Sequence, residues 1–219
     1  MTEYYNKIIT KPWGYEWRIF INDVAAIWYL HIDEGECTSM HCHLNKKSSF
    51  VSLAGITDME FMSNTVRLQP MSKIVLRQGL FHSIHAVSEA GIDILEIESP
   101  PMKNDLLRLA DPYGRNNNKQ YQGEVTLSPF ASDTLYLDKY GTYELAGCTL
   151  EYRHINNYSD FESICPEDMV MVLHGGIHTD AGDFVLSPAD AVVVNIIDRL
   201  YKAFRNISGM DILIISKKE

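Results

Sequence analysis

Apolar residues along this chain recur in short runs, often alternating with polar ones, and Gly, Pro, Asn and Asp punctuate the runs. Convincing long helical periodicity is absent, so the pattern predicts an all-β protein. Lys11-Pro12-Trp13-Gly14 reads as a turn into a strand from Tyr15 to Ile21, and Asn22-Asp23 as the next turn. A strand from Ala25 to Ile32 follows, ending before Asp33-Glu34-Gly35. Further strands are expected around His41 and His43, at Phe50 to Leu53 before Gly55, at Met59 to Met62, at Lys73 to Leu76 and at Ile92 to Glu98. In the last of these, Asp93, Leu95 and Ile97 share one face, and Ile94, Glu96 and Glu98 share the other. Pro100-Pro101 stops that strand. Residues 104–110 are expected to form a short helix capped by Asn104 or Asp105, turned off by Asp111-Pro112-Tyr113-Gly114. The polar stretch from Arg115 to Lys119 marks a connector over 111–124, between a first unit at 1–110 and a second at 125–219.

The second unit repeats the first weakly. At an offset of 118 residues, Leu68-Gln69-Pro70 meets Leu186-Ser187-Pro188, Val75 meets Val193, and the stretch from Gly91 to Ile97 meets that from Gly209 to Ile215. Val51 to Gly55 similarly resembles Met171 to Gly175. In the second copy Leu200 takes the place of His82, and no His-x-His precedes Gly175.

Composition narrows the function classes. The 219 residues suffice for one large or two small domains, and 46% hydrophobic with 22% charged residues is ordinary for a globular chain. A net charge of −10 argues against a nucleic-acid partner, which needs clustered Lys and Arg, but leaves room for a local basic pocket. Cys37, Cys42, Cys148 and Cys165 form no CxxC pair. Met1 to Tyr5 lacks a signal-peptide pattern, and no apolar run is long enough to cross a membrane. A reduced, cytoplasmic setting is expected.

The candidate chemistry lies in Gly35 to His43. On a strand, His41 and His43 point the same way, and two imidazoles on one face can bind one metal ion, while Cys42 points away. A second stretch, Arg77 to His85, offers a third ligand: a turn at Gly79 would bring His82 into the same cavity. Neutral imidazoles suit zinc, iron, nickel, cobalt or copper rather than magnesium or calcium.

The arrangement of Gly35, His41, His43 and Gly55, followed by Gly79 and His82, resembles the two motifs of the cupin superfamily. Ser48 stands where the first motif has Glu, Arg77 where the second has Pro, and Ala86 where the second ends in Asn. The resemblance implies a double-stranded β-helix (cupin jelly roll), two tandem barrels with the second degenerate, and His41, His43 and His82 as ligands of one divalent transition metal: zinc, iron, nickel, cobalt or manganese. Lys11-Pro12-Trp13-Gly14 is similar to the entry of type II phosphomannose isomerases. Glu98-Ser99-Pro100, with the segments from Asp105 to Leu109 and from Asp111 to Arg115, is similar to cupins of bacterial surface-polysaccharide pathways.

That resemblance implies a metal-dependent enzyme on a sugar or sugar phosphate, an aldose–ketose isomerase. His85 or Glu96 would move the proton, and Lys46, Lys47 or Arg77 would hold a phosphate. His85 faces away from His82 in a regular strand, and inward if a bulge intervenes. Trp13, Tyr15 and Trp17 are placed either to stack on a sugar ring or to plug the barrel end. The alternatives are a three-histidine iron dioxygenase, for which an absent Glu is the expected state, and a non-catalytic sugar-binding bicupin. A homodimer paired through strand edges is expected.

Overall fold

The computed structural model describes Tyr4 and residues 7–115, 124–125 and 134–218. Residues 116–123 of the expected connector lie outside the described residues. The strands of the first half are β1 (Ile8–Lys11), β2 (Gly14–Ile21), β3 (Ala26–Ile32), β4 (Met40–Cys42), β5 (Lys47–Ala54), β6 (Thr57–Phe61), β7 (Thr65–Leu68), β8 (Lys73–Leu76), β9 (His82–Ala86), β10 (Ile92–Ser99) and β11 (Leu107–Ala110). After them come β12 (Glu124–Val125), β13 (Gly141–Leu145), β14 (Cys148–Ile155), β15 (Met169–His178), β16 (Phe184–Leu186), β17 (Ala191–Val193), helix α1 (Val194–Phe204) and β18 (Asn206–Lys217). No helix among the described residues is long and apolar enough to cross a membrane.

The strands form three sheets. A seven-stranded sheet runs β12-β1-β2-β3-β10-β5-β8, and a five-stranded sheet runs β11-β4-β9-β6-β7. These two face each other around a core of Trp13, Trp28, Leu30, Phe50, Met59, Ile84 and Ile94. A third sheet runs β13-β14-β18-β15-β16, with β17 also on β15. The whole is all-β but for one α-helix, as the chain's pattern predicts, and the two facing sheets make the double-stranded β-helix that the resemblance implies, while the second half forms the third sheet. In the second half, helix α1 packs its Val194 and Ile197 onto the third sheet at Val170, Val172, Ile212 and Ile214.

The parity of the strands decides which face does what. In β2, Tyr15, Trp17 and Ile19 turn away from the barrel while Glu16 is buried inward. Tyr29, Val51, Leu53, Leu95 and Ile97 continue that outward apolar face, and it packs on Leu150, Met171, Leu173, Leu213 and Ile215 of the third sheet. Lys47 reaches Asp190 at 3.0 Å, and Asn22 donates to the Leu173 carbonyl at 3.1 Å, fixing the halves at the rim. The seven-stranded sheet is therefore buried on both faces.

The internal repeat is visible in the backbone. Met71 and Ala189 both take left-handed φ, at 65° and 66°. The Met71 N–H bonds Ser52 O and the Ser52 N–H bonds Ser72 O; Ala189, Val172 and Asp190 make the same pair of bonds. His31 Nδ1 lies 2.7 Å from Asp93, and His154 Nδ1 lies 2.7 Å from Asp211. The two histidines precede their aspartates by different lengths of chain, so the pair falls out of the 118-residue offset.

Two elements differ from expectation. Residues 104–110 form no helix: β11 pairs with β4, and Leu107, Arg108 and Leu109 alternate as a strand does. The Asp105 carboxylate caps a different segment, accepting from the N–H groups of Leu44, Asn45 and Lys46 at 3.3, 2.8 and 2.9 Å. Conversely, the sequence reading placed no helix at Val194–Phe204. Its apolar residues at Val194, Ile197, Leu200, Tyr201 and Phe204 do follow helical spacing, but they abut the apolar strand β17 and merge with it into one run.

Gly175 has φ +67°, and a Cβ there would sit 2.0 Å from the Gly209 carbonyl oxygen. Gly175→Ala is expected to cost at least about 2 kcal/mol, through backbone strain and displacement of β18. Thermal denaturation checks this, with Gly182→Ala as the control at a positive-φ glycine that has open space around its Cβ position.

Candidate metal centre

Three histidines converge inside the first barrel. His41, in β4, lies directly opposite His82, in β9, and His43 follows β4 by one residue. Their ring centroids are 4.6 Å apart for His41 and His82, 5.1 Å for His41 and His43, and 5.4 Å for His43 and His82. One nitrogen from each ring lies within 4.8 Å of the others, and all three side chains are buried. Gly79 makes the turn that presents His82: its φ is +75°, and its N–H donates to the His43 carbonyl at 2.7 Å.

Each ring is oriented by a carbonyl. The Nδ1 atoms of His41, His43 and His82 lie 2.6, 2.6 and 3.0 Å from the main-chain oxygens of Ser39, Asp105 and Leu80. A carbonyl only accepts, so each Nδ1 carries the proton and each Nε2 keeps its lone pair. The Nε2 atoms of His43 and His82 are buried with no hydrogen-bond partner. Orphaned buried acceptors are costly, and a cation among the three rings would satisfy them, so the residues fit a metal ion. Burial pushes His41 well below the usual imidazole range, helped by the His82 and His43 rings, and it also lowers His82. Burial, then the nearby Lys46 ammonium, brings His43 down to about 4. All three are therefore neutral at pH 7, the state a metal ligand requires.

Beside the imidazoles stands a buried chain of charges. Glu96 Oε1 is 3.7 Å from His43 Nε2 and 3.8 Å from Lys46 Nζ, and Lys46 also pairs with Glu98. Ser48, where the motif's Glu would stand, donates to Glu96 Oε1 at 3.2 Å. Trp28 Nε1 donates to Glu98 at 3.2 Å. Burial raises Glu96, but Lys46 and His43 outweigh it and hold the carboxyl below its ordinary value, so it is ionised at neutral pH.

His41, His43, Lys46 and Glu96 line one cavity of about 420 Å³, in the size range of small-molecule sites. Trp13 and Phe50 give it apolar wall, and Lys11, Lys103, Arg108, Arg115 and Glu16 line it as well. Lys11 and Lys103 both pair with Glu16, at 3.0 and 2.5 Å. Burial alone would raise Glu16, but the two ammonium groups bring it down to about 2.

The cavity thus brings together His41, His43, Glu96, Lys46 and Trp13, with His82 packed against the other two imidazoles, but three residues expected at the site stand elsewhere. His85 faces outward, 2.9 Å from Glu60, because β9 keeps regular register on β6 over all five residues and no bulge turns it inward. Lys47 faces the second half, on Asp190 and on Ser187 Oγ at 2.8 Å, because it has the opposite strand parity to Ser48. Arg77 is exposed in the turn after β8 and does not line the cavity. Tyr15 and Trp17 belong to the outward apolar face, with Tyr15 stacked on His31 at 4.9 Å.

Sequence reasoning passed over Glu16, Lys11, Lys103, Arg108, Arg115 and Asp105. A signal existed for Glu16 and Arg108. For Glu16 it is the alternation with the aromatics of β2; for Arg108 it is the Leu107-Arg108-Leu109 alternation, which fits a strand and which pairing then sets opposite His41. The others sit on turns and loops whose course only the folded chain sets.

No protein-family model and no curated protein matches this chain. Solved structures do. KdgF from Halomonas sp. is 15% identical with a TM-score of 0.42, covering 45% of this chain and 90% of that one. The DMSP lyase DddQ from Ruegeria pomeroyi is 15% identical with a TM-score of 0.39, covering 43% and 50%. A cupin-2 domain protein from Shewanella frigidimarina is 20% identical with a TM-score of 0.33, covering 36% and 74%. Each of these three matches spans less than half of this chain, and cupin and double-stranded β-helix proteins are among the neighbours.

Two outcomes follow from the site's supports. Asp105→Ala removes the acceptor for three backbone N–H groups beside His43. It is expected to cost about 2–4 kcal/mol of stability and about 10–100-fold in metal affinity, read by thermal melts and chelator competition. Separately, because the folded imidazoles titrate below their unfolded value of about 6.5, the unfolded chain takes up protons first on acidification. Metal-free protein should therefore lose stability as pH falls from about 6.5 towards the folded His43 value of about 4. Urea titrations at several pH values check the sign, and a flat profile would contradict it.

Proposed function

We propose that this protein is a metal-dependent cupin enzyme that interconverts an aldose and a ketose, acting on a sugar or sugar phosphate. The observation that carries the proposal is a cluster of three buried imidazoles with convergent ring nitrogens, two of which line one cavity together with an ionised carboxylate, Glu96, 3.7 Å from His43. His41, His43 and His82 would hold the metal ion through Nε2. When bound, such an ion supplies Lewis-acid polarisation of a carbonyl and its neighbouring hydroxyl.

The remaining work falls to the chain's own residues. Glu96 takes the proton from the carbon next to the carbonyl and returns it to the neighbouring carbon, while the hydroxyl proton passes between the two oxygens. Atoms and electrons balance, because the product is an isomer of the substrate. Lys46, held between Glu96 and Glu98, keeps Glu96 ionised and fixed, and the Ser48 hydroxyl orients it. Trp13 and Phe50 exclude water from one wall of the cavity.

A second reading has its own support. Among the described residues no carboxylate oxygen joins the three nitrogens in the metal-ligand cluster, and Ser48 occupies the motif's Glu position. Three histidines without a carboxylate suit an iron dioxygenase, for which oxygen uptake is the assay.

Protein purified without chelators or a His-tag is expected to carry about one transition-metal ion per chain, lost in both His41→Ala and His82→Ala. Elemental analysis reads this, and a metal-free native protein that cannot be reloaded would overturn the proposal. Across a panel of aldoses and their phosphates, Glu96→Gln is expected to lower kcat by about 10²–10⁴-fold with the metal retained. Oxygen consumption with iron and no isomerisation would transfer the site to the second reading.

A further inference from the structure

The cavity carries charge that the metal centre and Glu96 leave unused. Lys11, Lys103, Arg108 and Arg115 line the same cavity and come from β1, the segment 103–108 and the stretch after Asp111. Within it two ammonium groups share the single carboxylate of Glu16. Arg115 pairs with Asp111 at 2.6 Å. Lys103 Nζ lies 3.6 Å from the centre of the Trp28 ring, a cation–π contact that restrains the ammonium group. Four cations thus gather at one cavity, in a chain whose overall charge is −10. The cations also oppose one another: after burial, Lys103 and Arg115 both push Lys11 down, and Arg115 pushes Arg108 down.

A solvated surface disperses such charges, because each repulsion weakens in water, whereas here they are gathered within one partly enclosed space. The acid-rich trio of Glu96, Lys46 and Glu98 lies beside the imidazoles of the same cavity. One part of the cavity therefore suits a cation and another an anion.

We propose that Lys11, Lys103, Arg108 and Arg115 form an anion subsite that takes the carboxylate or phosphate of the substrate. The substrate class is then a small anionic sugar whose uncharged carbonyl or hydroxyl end meets the imidazoles. This assignment rests on the reading of the cavity as the active site, and it replaces Lys47 and Arg77 as the anion-holding groups. Arg108 is suited to a planar or tetrahedral oxyanion through paired N–H donors, and Lys103 adds a point charge.

The test measures binding of three probes, glucose, glucose 6-phosphate and glucuronate, at fixed ionic strength by calorimetry. It uses the native protein, His41→Ala, Lys103→Met and Arg108→Met, with circular dichroism confirming that each is folded and Arg108→Lys as a milder second variant. At least one of the two anionic sugars should bind about tenfold or more tightly than glucose. That preference should persist in His41→Ala and shrink about tenfold in Lys103→Met and Arg108→Met, whose metal content stays as in the native protein. Tighter binding of glucose 6-phosphate would assign the subsite to phosphate, and tighter binding of glucuronate to carboxylate. Equal affinity for glucose and both anions, no binding of either anion, or an anion preference unchanged in both cation variants would overturn the proposal. Anion preference without metal binding would leave the subsite standing and fell the metal-dependent reading; metal binding without anion preference would do the reverse.

Discussion

The structure depends on one sheet being buried from both sides. The outward face of the seven-stranded sheet is the more apolar one, and the second half covers it. Burial of that face at roughly 25 cal/mol per Å² supplies stability outside the first barrel. The barrel's inward face is thereby released from packing alone and can carry Glu16, Glu96, Glu98 and Ser48. The polar interior and the attached second half are two sides of the same arrangement.

Within that interior, orientation comes from main-chain oxygens rather than from side-chain partners. Three carbonyls fix three Nδ1 protons, and the backbone that carries them is itself tied down. Asp105 is the strongest tie, because its carbonyl oxygen orients His43 while its carboxylate holds the segment from Leu44 to Lys46. N–H donors from that segment overcome the burial of Asp105 and keep it ionised. Partners of this kind set the tautomer of a ligand as well as its position.

Much of this was legible in the chain. Strand alternation and Gly-Pro-Asn punctuation gave the all-β architecture and most of the first-half strands. The spacing of His41, His43 and His82 about Gly79 was enough to bring the three rings together. Parity misled at Lys47, which follows Lys46 by one residue and so faces the other way; Lys46 precedes β5 and turns inward on its own loop. The basic wall was not legible, since Lys103 and Arg115 sit on turns whose course depends on contacts distant in sequence. Helix α1 was hidden for a local reason: it begins directly where a buried strand ends, so two periodicities overlap without a cap between them.

Strand β5 shows what the two-faced sheet implies for the molecule as a whole. Lys47, Ser49, Val51 and Leu53 grip the second half, while Ser48 and Phe50, interleaved with them, touch the carboxylate and an imidazole of the site. Neighbouring peptide units cannot slide independently, so the half without imidazoles at its centre still sets the aim of the half that has them. A substitution in the seam between the halves therefore reaches the cavity through the backbone of β5, although the altered side chain never enters it.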